Sequence, residues 1–173
     1  INGEFVASES GETFDVINPA NNQLFAKAYK GGLKDVQKAI LAARHAYDKG
    51  PWGKMSAKER SKLLLKAGRI LAERLEEFAT VETLDCGKLY PGVLYYEGPM
   101  SVDAFEYFAG LARCLEGKVV PTERGHLNYV LWQPCGVVGE ILPWNGPLMM
   151  GCQKVCAILA AGNTVVIKPS SQA

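Results

Sequence analysis

Apolar and polar positions follow two rhythms along this chain, one of strands and one of helices. Residues 137–142 are a short, mostly apolar run ahead of Pro143, the pattern of a buried strand. Pro147 stands where a first helical turn accepts proline. Leu148, Val155, Ile158 and Leu159 then recur near helical spacing, up to a stop at Gly162. Residues 164–167 are β-branched throughout and predict a second strand. Strand, helix and strand in that order make a parallel βαβ unit. Ligands of such units sit beyond the carboxyl ends of the strands. Those ends are Pro143-Trp144-Asn145 and Lys168-Pro169-Ser170, so a polar segment and a basic one meet at one rim.

Upstream, Phe5-Val6 and residues 14–17 flank polar turn residues and predict a β-hairpin. Residues 18–22 (Asn-Pro-Ala-Asn-Asn) predict a turn, and residues 24–29 a further strand. Residues 35–49 predict a helix with Val36, Ile40, Ala43 and Tyr47 on one face, ended by Gly50-Pro51. Ser56-Ala-Lys-Glu59 is a capping box. A long helix follows, with Leu63, Ala67, Ile70, Leu71, Leu75, Phe78 and Ala79 at helical spacing and Gly87 as its stop. A third helical region reaches about Leu115, with Val102, Phe105, Phe108 and Ala112 inward and a break or kink at Gly98-Pro99. Residues 117–121 and 127–133 predict strands around a turn at Glu123-Arg-Gly125. The second is more apolar than a solvated face needs, which suits contact with another chain. The last residues, Ser170-Ser-Gln-Ala173, look like a helix N-cap with no helix after it. A doubly wound sheet with two parallel strands leaves its edges and faces open. The expectation is therefore the N-terminal part of something longer.

Composition narrows the partners more than the fold. The 173 residues are 48% hydrophobic, enough for a core, and a net charge of +1 points to neither nucleic acid nor membrane. No apolar run reaches the roughly 18 residues of a membrane span, and the N-terminus has no signal-peptide pattern. The five cysteines, Cys86, Cys114, Cys135, Cys152 and Cys156, include no C-x-x-C pair. They predict reduced thiols in a cytoplasmic compartment.

Local chemistry alone leaves each candidate open. Asn145 reads equally as a helix N-cap before Pro147 or as a functional amide. Trp144 reads as packing, Lys168 as a solvated strand end, and His45 and His126 as surface residues without partners. Cys152 and Cys156 share a helical face but lack the His or acidic neighbours that a metal would need. The G-x-G-x-x-G fingerprint and the G-x-x-x-x-G-K-[ST] loop are both absent.

The conjunction of segments says more than any one. In order, the chain carries Asn18-Pro-Ala20, Glu82-Thr-Leu-Asp-Cys-Gly-Lys88, Pro134-Cys-Gly-Val-Val-Gly139, Pro143-Trp-Asn145, Gly162-Asn-Thr-Val-Val166 and Lys168-Pro-Ser-Ser-Gln172. Together they closely resemble the N-terminal third of the aldehyde dehydrogenase superfamily. The resemblance implies an α/β fold: the start of a doubly wound parallel-sheet cofactor-binding domain spanning residues 1–173. An N-terminal hairpin and helices would precede it, and a β-arm near residues 117–134 would serve homodimers or homotetramers.

It also implies oxidation of an aldehyde to a carboxylic acid with NAD or NADP, through attack by a cysteine thiolate. Asn145 matches the family's catalytic asparagine, an oxyanion donor, and Lys154 a lysine assigned to proton relay. Ile141, Leu142, Pro143, Trp144 and Asn145 match the segment along the cofactor. Lys168 matches the lysine on the adenosine ribose, with Ser170 and Ser171 beside it. Ile17, Asp85 and Gln172 match positions whose backbone carbonyls hold a structural monovalent cation. The nucleophilic cysteine and general-base glutamate of the family lie downstream, so residues 1–173 alone are expected not to turn over aldehyde. All five cysteines are expected to be packing residues.

Three positions depart from the family. Ser171 stands where glutamate is frequent, which implies tolerance of NADP. Gly146 replaces a tunnel phenylalanine and Gln153 a tunnel aromatic, while Met150 keeps its place. That implies a bulky or polar aldehyde. The alternative class is a noncatalytic nucleotide-binding or structural module on the same fold. An acylating relative that passes a thioester to coenzyme A is a third.

Overall fold

The computed structural model describes residues 1–172. Strands β1 (Thr13–Asn18) and β2 (Gln23–Tyr29) pair antiparallel across the predicted turn, where Asn18 Oδ1 accepts the Ala20 N–H at 2.9 Å. The expected hairpin with Phe5-Val6 does not form, because residues 14–17 pair with β2 instead. The segment before β1 is anchored elsewhere. The Glu9 N–H donates to Asp35 Oδ1 at 2.9 Å, and Lys38 pairs with the Glu9 carboxylate. A bulge shifts the β1–β2 register between Val16 and Ile17.

Helix α1 spans Leu33–Asp48, and α2 (Ala57–Glu73) starts on the predicted capping box. Ser56 Oγ accepts the Glu59 N–H at 3.3 Å, and Glu59 Oε2 accepts the Ser56 N–H at 2.8 Å. The single long helix expected after Ser56 is two helices. Arg74 leaves helical geometry at φ −118°, and α3 (Leu75–Cys86) then runs to Gly87, which is left-handed at φ 71°. Helix α4 (Tyr90–Gly92) passes through a π-helical turn (Val93–Glu97) into α5 (Gly98–Leu111). No break occurs at Gly98-Pro99. Pro99 lacks the N–H that a regular helix would offer to the Tyr95 carbonyl, and the wider turn before it accommodates the loss. Strands β3 (Lys118–Val120) and β4 (Asn128–Val130) form an antiparallel pair that is exposed throughout.

Strands β5 (Val137–Ile141) and β6 (Thr164–Lys168) pair in parallel and are joined by α6 (Pro147–Ala160). This is the βαβ unit read from the apolar pattern. Its return turn is held by Asn163, whose Oδ1 accepts the Gly136 N–H at 2.9 Å and whose Nδ2 donates to the Ile158 carbonyl at 3.3 Å.

The buried helical core joins α2, α5 and α6 through Leu64, Ala109, Ala112 and Ala160, with Phe105, Phe108 and Leu159 against them. On α2 the buried positions are Ser61, Leu64, Gly68 and Leu71, whereas the expected Leu63 and Ile70 are exposed. Gly68 sets this phase. A Cβ there would lie 2.8 Å from Phe105 Cβ, so the absent side chain is what lets α5 settle against α2.

Side chains alternate faces along a strand. Thr164 Oγ1 donates to the Ala43 carbonyl of α1 at 3.0 Å, so α1 covers the face that carries Val137 and Thr164. Glu140 pairs with Lys154 at 3.4 Å, so α6 covers the alternate face. The α/β class is as expected: a parallel pair with a helix on each face, preceded by a hairpin and helices.

Candidate functional site

The rim is built by the ladder. Ile141 lies opposite Lys168, and the Leu142 N–H donates to the Lys168 carbonyl at 3.1 Å. Both strands therefore end at the same level. By the alternation of faces, Ile141 and Lys168 share the α1 side, but α1 covers only the other end of the strands. Ile141 is 80% exposed, Lys168 is exposed, and a Cβ added at Gly139 would meet nothing within 4 Å. Leu142 is turned the other way. It is 6% exposed, and its Cδ1 lies 3.4 Å from where a Cβ on Gly151 of α6 would stand.

Pro143 is half-buried, and then the chain emerges: Trp144 is 59% exposed and Asn145 is exposed. The N-cap reading of Asn145 does not hold. The N-cap of α6 is Gly146, with no side-chain cap, so the Asn145 amide is free of that task. Lys154 is not brought to this loop by a bond of its own; it is tied to Glu140 on β5. Ser170 turns back on the chain, its Oγ accepting the Gln172 N–H at 3.1 Å, while Ser171 is exposed.

Ile17, Asp85 and Gln172 come together, with Ser171, in the wall of one cleft between β1, β2 and the end of α3. The bulge beside Ile17 interrupts the ladder. Asp85 lies in the last turn of α3, where carbonyls lack intrahelical partners. Among the described residues no group of His, Cys, Asp and Glu suits a transition metal.

Cysteine placement divides the five. Cys156 is buried, Cys86 and Cys152 are half-buried, and Cys114 and Cys135 are exposed, which corrects the packing expectation for the last two. Burial pushes the Cys86 and Cys152 thiols up to about 11 and Cys156 to about 12. These three are therefore thiols, not nucleophilic thiolates, near neutral pH.

A charged cluster lies under the first turn of α6. The Lys88 ammonium is 3.2 Å from Glu82 Oε1 and bonds the Glu97 carboxylate, with side-chain exposures of 19%, 4% and 21% for Lys88, Glu82 and Glu97. Burial raises the Glu82 carboxyl above the usual range, against the pull of Lys88. Burial also works against the Lys88 charge, but the bond to Glu97 and the charge of Glu82 win, and its ammonium titrates above the ordinary lysine value. Sequence reasoning quoted Glu82 and Lys88 only as part of a motif and missed Glu97. The available signal was Gly87, a left-handed helix end that turns Lys88 back towards the acids.

Comparison with known proteins decides the family. The sequence model of the aldehyde dehydrogenase family matches residues 5–173. This chain belongs to the aldehyde dehydrogenase family. Over 172 residues it is 43% identical to the mitochondrial aldehyde dehydrogenase family 2 member B4 of Arabidopsis thaliana, covering 99% of this chain and 32% of that protein. It is 41% identical over 174 residues to the human mitochondrial 10-formyltetrahydrofolate dehydrogenase, covering 98% of this chain and 19% of that protein. An aldehyde dehydrogenase of Bacillus cereus, solved as its NAD+ complex, superposes with a TM-score of 0.97 at 40% identity, over 99% of this chain and 35% of that one. The chain thus spans about a third, or less, of the length of these relatives. No helix among the described residues is long and apolar enough to cross a membrane.

Proposed function

We propose that residues 1–173 form the N-terminal part of the cofactor-binding domain of an enzyme that oxidises an aldehyde to a carboxylic acid with NAD or NADP. The observation that carries this reading is the register that sets Ile141 opposite Lys168, with Trp144 and Asn145 exposed just beyond. The open strand surface at Gly139, the apolar face of Ile141 and the free ammonium of Lys168 suit a flat ring system joined to a sugar. Bound there, the nicotinamide supplies the hydride acceptor. The chain's own residues hold and orient. Ile141, Pro143 and Trp144 offer apolar contact, and Leu142 fixes the strand end from within. Lys168 donates to a ribose hydroxyl, and Ser170 and Ser171 border the same sugar. Ser171 carries no charge to repel a 2′-phosphate, so NADP is accepted. An NAD preference above about a hundredfold, roughly 2.7 kcal/mol, would contradict that.

In this reading a cysteine thiolate of the complete enzyme adds to the aldehyde carbon, and the Asn145 amide donates to the resulting oxyanion. Lys154, paired with Glu140, serves as a proton relay. Gly146 and Gln153 leave room beside Met150 for a bulky or polar aldehyde, and tight selectivity for short aliphatic aldehydes would count against it. Ile17, Asp85 and Gln172 hold a structural monovalent cation through backbone oxygens. The exposed apolar residues Val119, Leu127, Leu131 and Trp132 of the arm near residues 117–134 pair with a neighbouring subunit in a homodimer or homotetramer. A monomer on sedimentation of the complete protein would oppose this. The free cysteines favour the cytoplasm.

The test is Asn145→Ala in the complete enzyme. Losing one oxyanion donor costs about 3–4 kcal/mol of barrier, so kcat falls on the order of 10²–10³-fold while the fold and NAD binding persist. A near-normal kcat overturns the assignment.

A further inference from the structure

The charged cluster beneath α6 touches the Asn145 loop from the protein side. Lys88 Nζ lies 3.9 Å from where a Cβ on Gly146 would stand, and Gly146 is both the N-cap of α6 and the residue after Asn145. The Leu148 amide, in the first turn of α6, faces the Glu82 carboxylate. Neither Glu82 oxygen completes a well-formed hydrogen bond among the described residues. Glu82 belongs to α3, Lys88 follows its left-handed end, and Glu97 closes the π-helical turn before α5. Glu82 and Lys88 therefore stand against the start of α6, and Glu97 holds Lys88 from the far side of the pair. The Glu82 carboxylate facing the Leu148 amide has the sign that a helix N-terminus favours. A carboxylate taken out of water is costly unless the ammonium stays with it, and burial is what raises Glu82 here.

We propose that Lys88, clasped by Glu82 and Glu97, is a positioning residue for Asn145: it fixes the Gly146 end of α6 and so the direction of the amide beyond it. This rests on the oxyanion reading of Asn145. Lys88 touches no reacting atom in this role. Without it, Glu82 repels Glu97, the first turn of α6 loosens, and the amide no longer points at one place.

The test uses the complete enzyme with Lys88→Met and with the double variant Glu82→Gln/Lys88→Met, which leaves no buried unpaired carboxylate at position 82. Displacement of a reacting group by about 1 Å costs on the order of 100-fold in rate. Both variants are expected to lose about 10–100-fold in kcat with KM for NAD nearly unchanged. In the cofactor-free protein, amide exchange over residues 146–150 is expected to quicken on the order of tenfold, as an opened helix start requires. A kcat close to wild type in the folded double variant, or unchanged exchange over residues 146–150, overturns the proposal. Asn145→Ala measured beside them separates the failures. If that variant keeps a normal kcat, the oxyanion reading falls and takes the role of Lys88 with it. If it collapses while the Lys88 variants do not, Lys88 alone is misassigned.

Discussion

At the scale of single residues, environment decides what a side chain can do, and the five cysteines show it. Cys152 and Cys156 sit on the same helix as if paired, yet burial raises both thiols to about 11 and about 12. Cys86 is raised to about 11, by burial first and then by the charges of Asp85 and Glu82. Cys114 and Cys135 are exposed. Only the thiolate alkylates, so at pH 8 iodoacetamide is expected to label Cys114 and Cys135 well before the other three. Peptide mass spectrometry over a time course reads this, and early labelling of Cys152 would contradict it. Sequence reasoning saw that none of the five stood in a nucleophile's context. It could not see which were exposed, because one-letter neighbours do not report depth. The N-cap reading of Asn145 likewise falls only with the structure, where the N-cap of α6 is Gly146, a residue with no side chain to cap with.

At the scale of elements, the parallel unit was the most legible part of the chain. An apolar run, a helical repeat and a β-branched run predicted β5, α6 and β6 nearly to the residue, because each buries a face and so keeps its period. The arm pair and the Ser56 capping box were equally plain. The helical region was legible in kind and not in phase. Leu63 and Ile70 look like core positions, but the contact is set by Gly68 against Phe105, and a glycine carries no hydrophobic signal. The hairpin was misread because Phe5-Val6 competes for β1 with β2, which lies closer in sequence and wins by a short turn. Asn163 is the residue on which the βαβ unit turns. Asn163→Ala removes the acceptor of the buried Gly136 N–H and the donor to Ile158, at a cost of about 1–3 kcal/mol. A lower urea midpoint with an unchanged m-value is expected, and an unchanged midpoint would mean that Asn163 does not hold the unit.

At the scale of the whole molecule, much apolar surface stands open. Val36 and Ile40 on α1, Ile141 and Trp144 at the rim, and Leu127, Leu131 and Trp132 in the arm are all exposed. Composition points to a core for 173 residues, and the main buried cluster is a modest contact of α2, α5 and α6. Periodicity identifies a face that wants cover without saying whether the cover is a helix, a ligand or a second subunit. In the proposed function the Ile141 and Trp144 surface faces the ligand and the arm a neighbouring subunit, since Lys168 stands at the first and the second is an apolar strand pair. The central claim is that the joined strand ends receive the dinucleotide, and it is tested most directly by titrating NAD into the complete enzyme and its Lys168→Met variant by calorimetry. Loss of a charge-assisted hydrogen bond costs about 1.5–3 kcal/mol, so the variant is expected to bind NAD about 10–100-fold more weakly with its fold intact. Equal affinity in the two proteins would mean that Lys168 does not border the site.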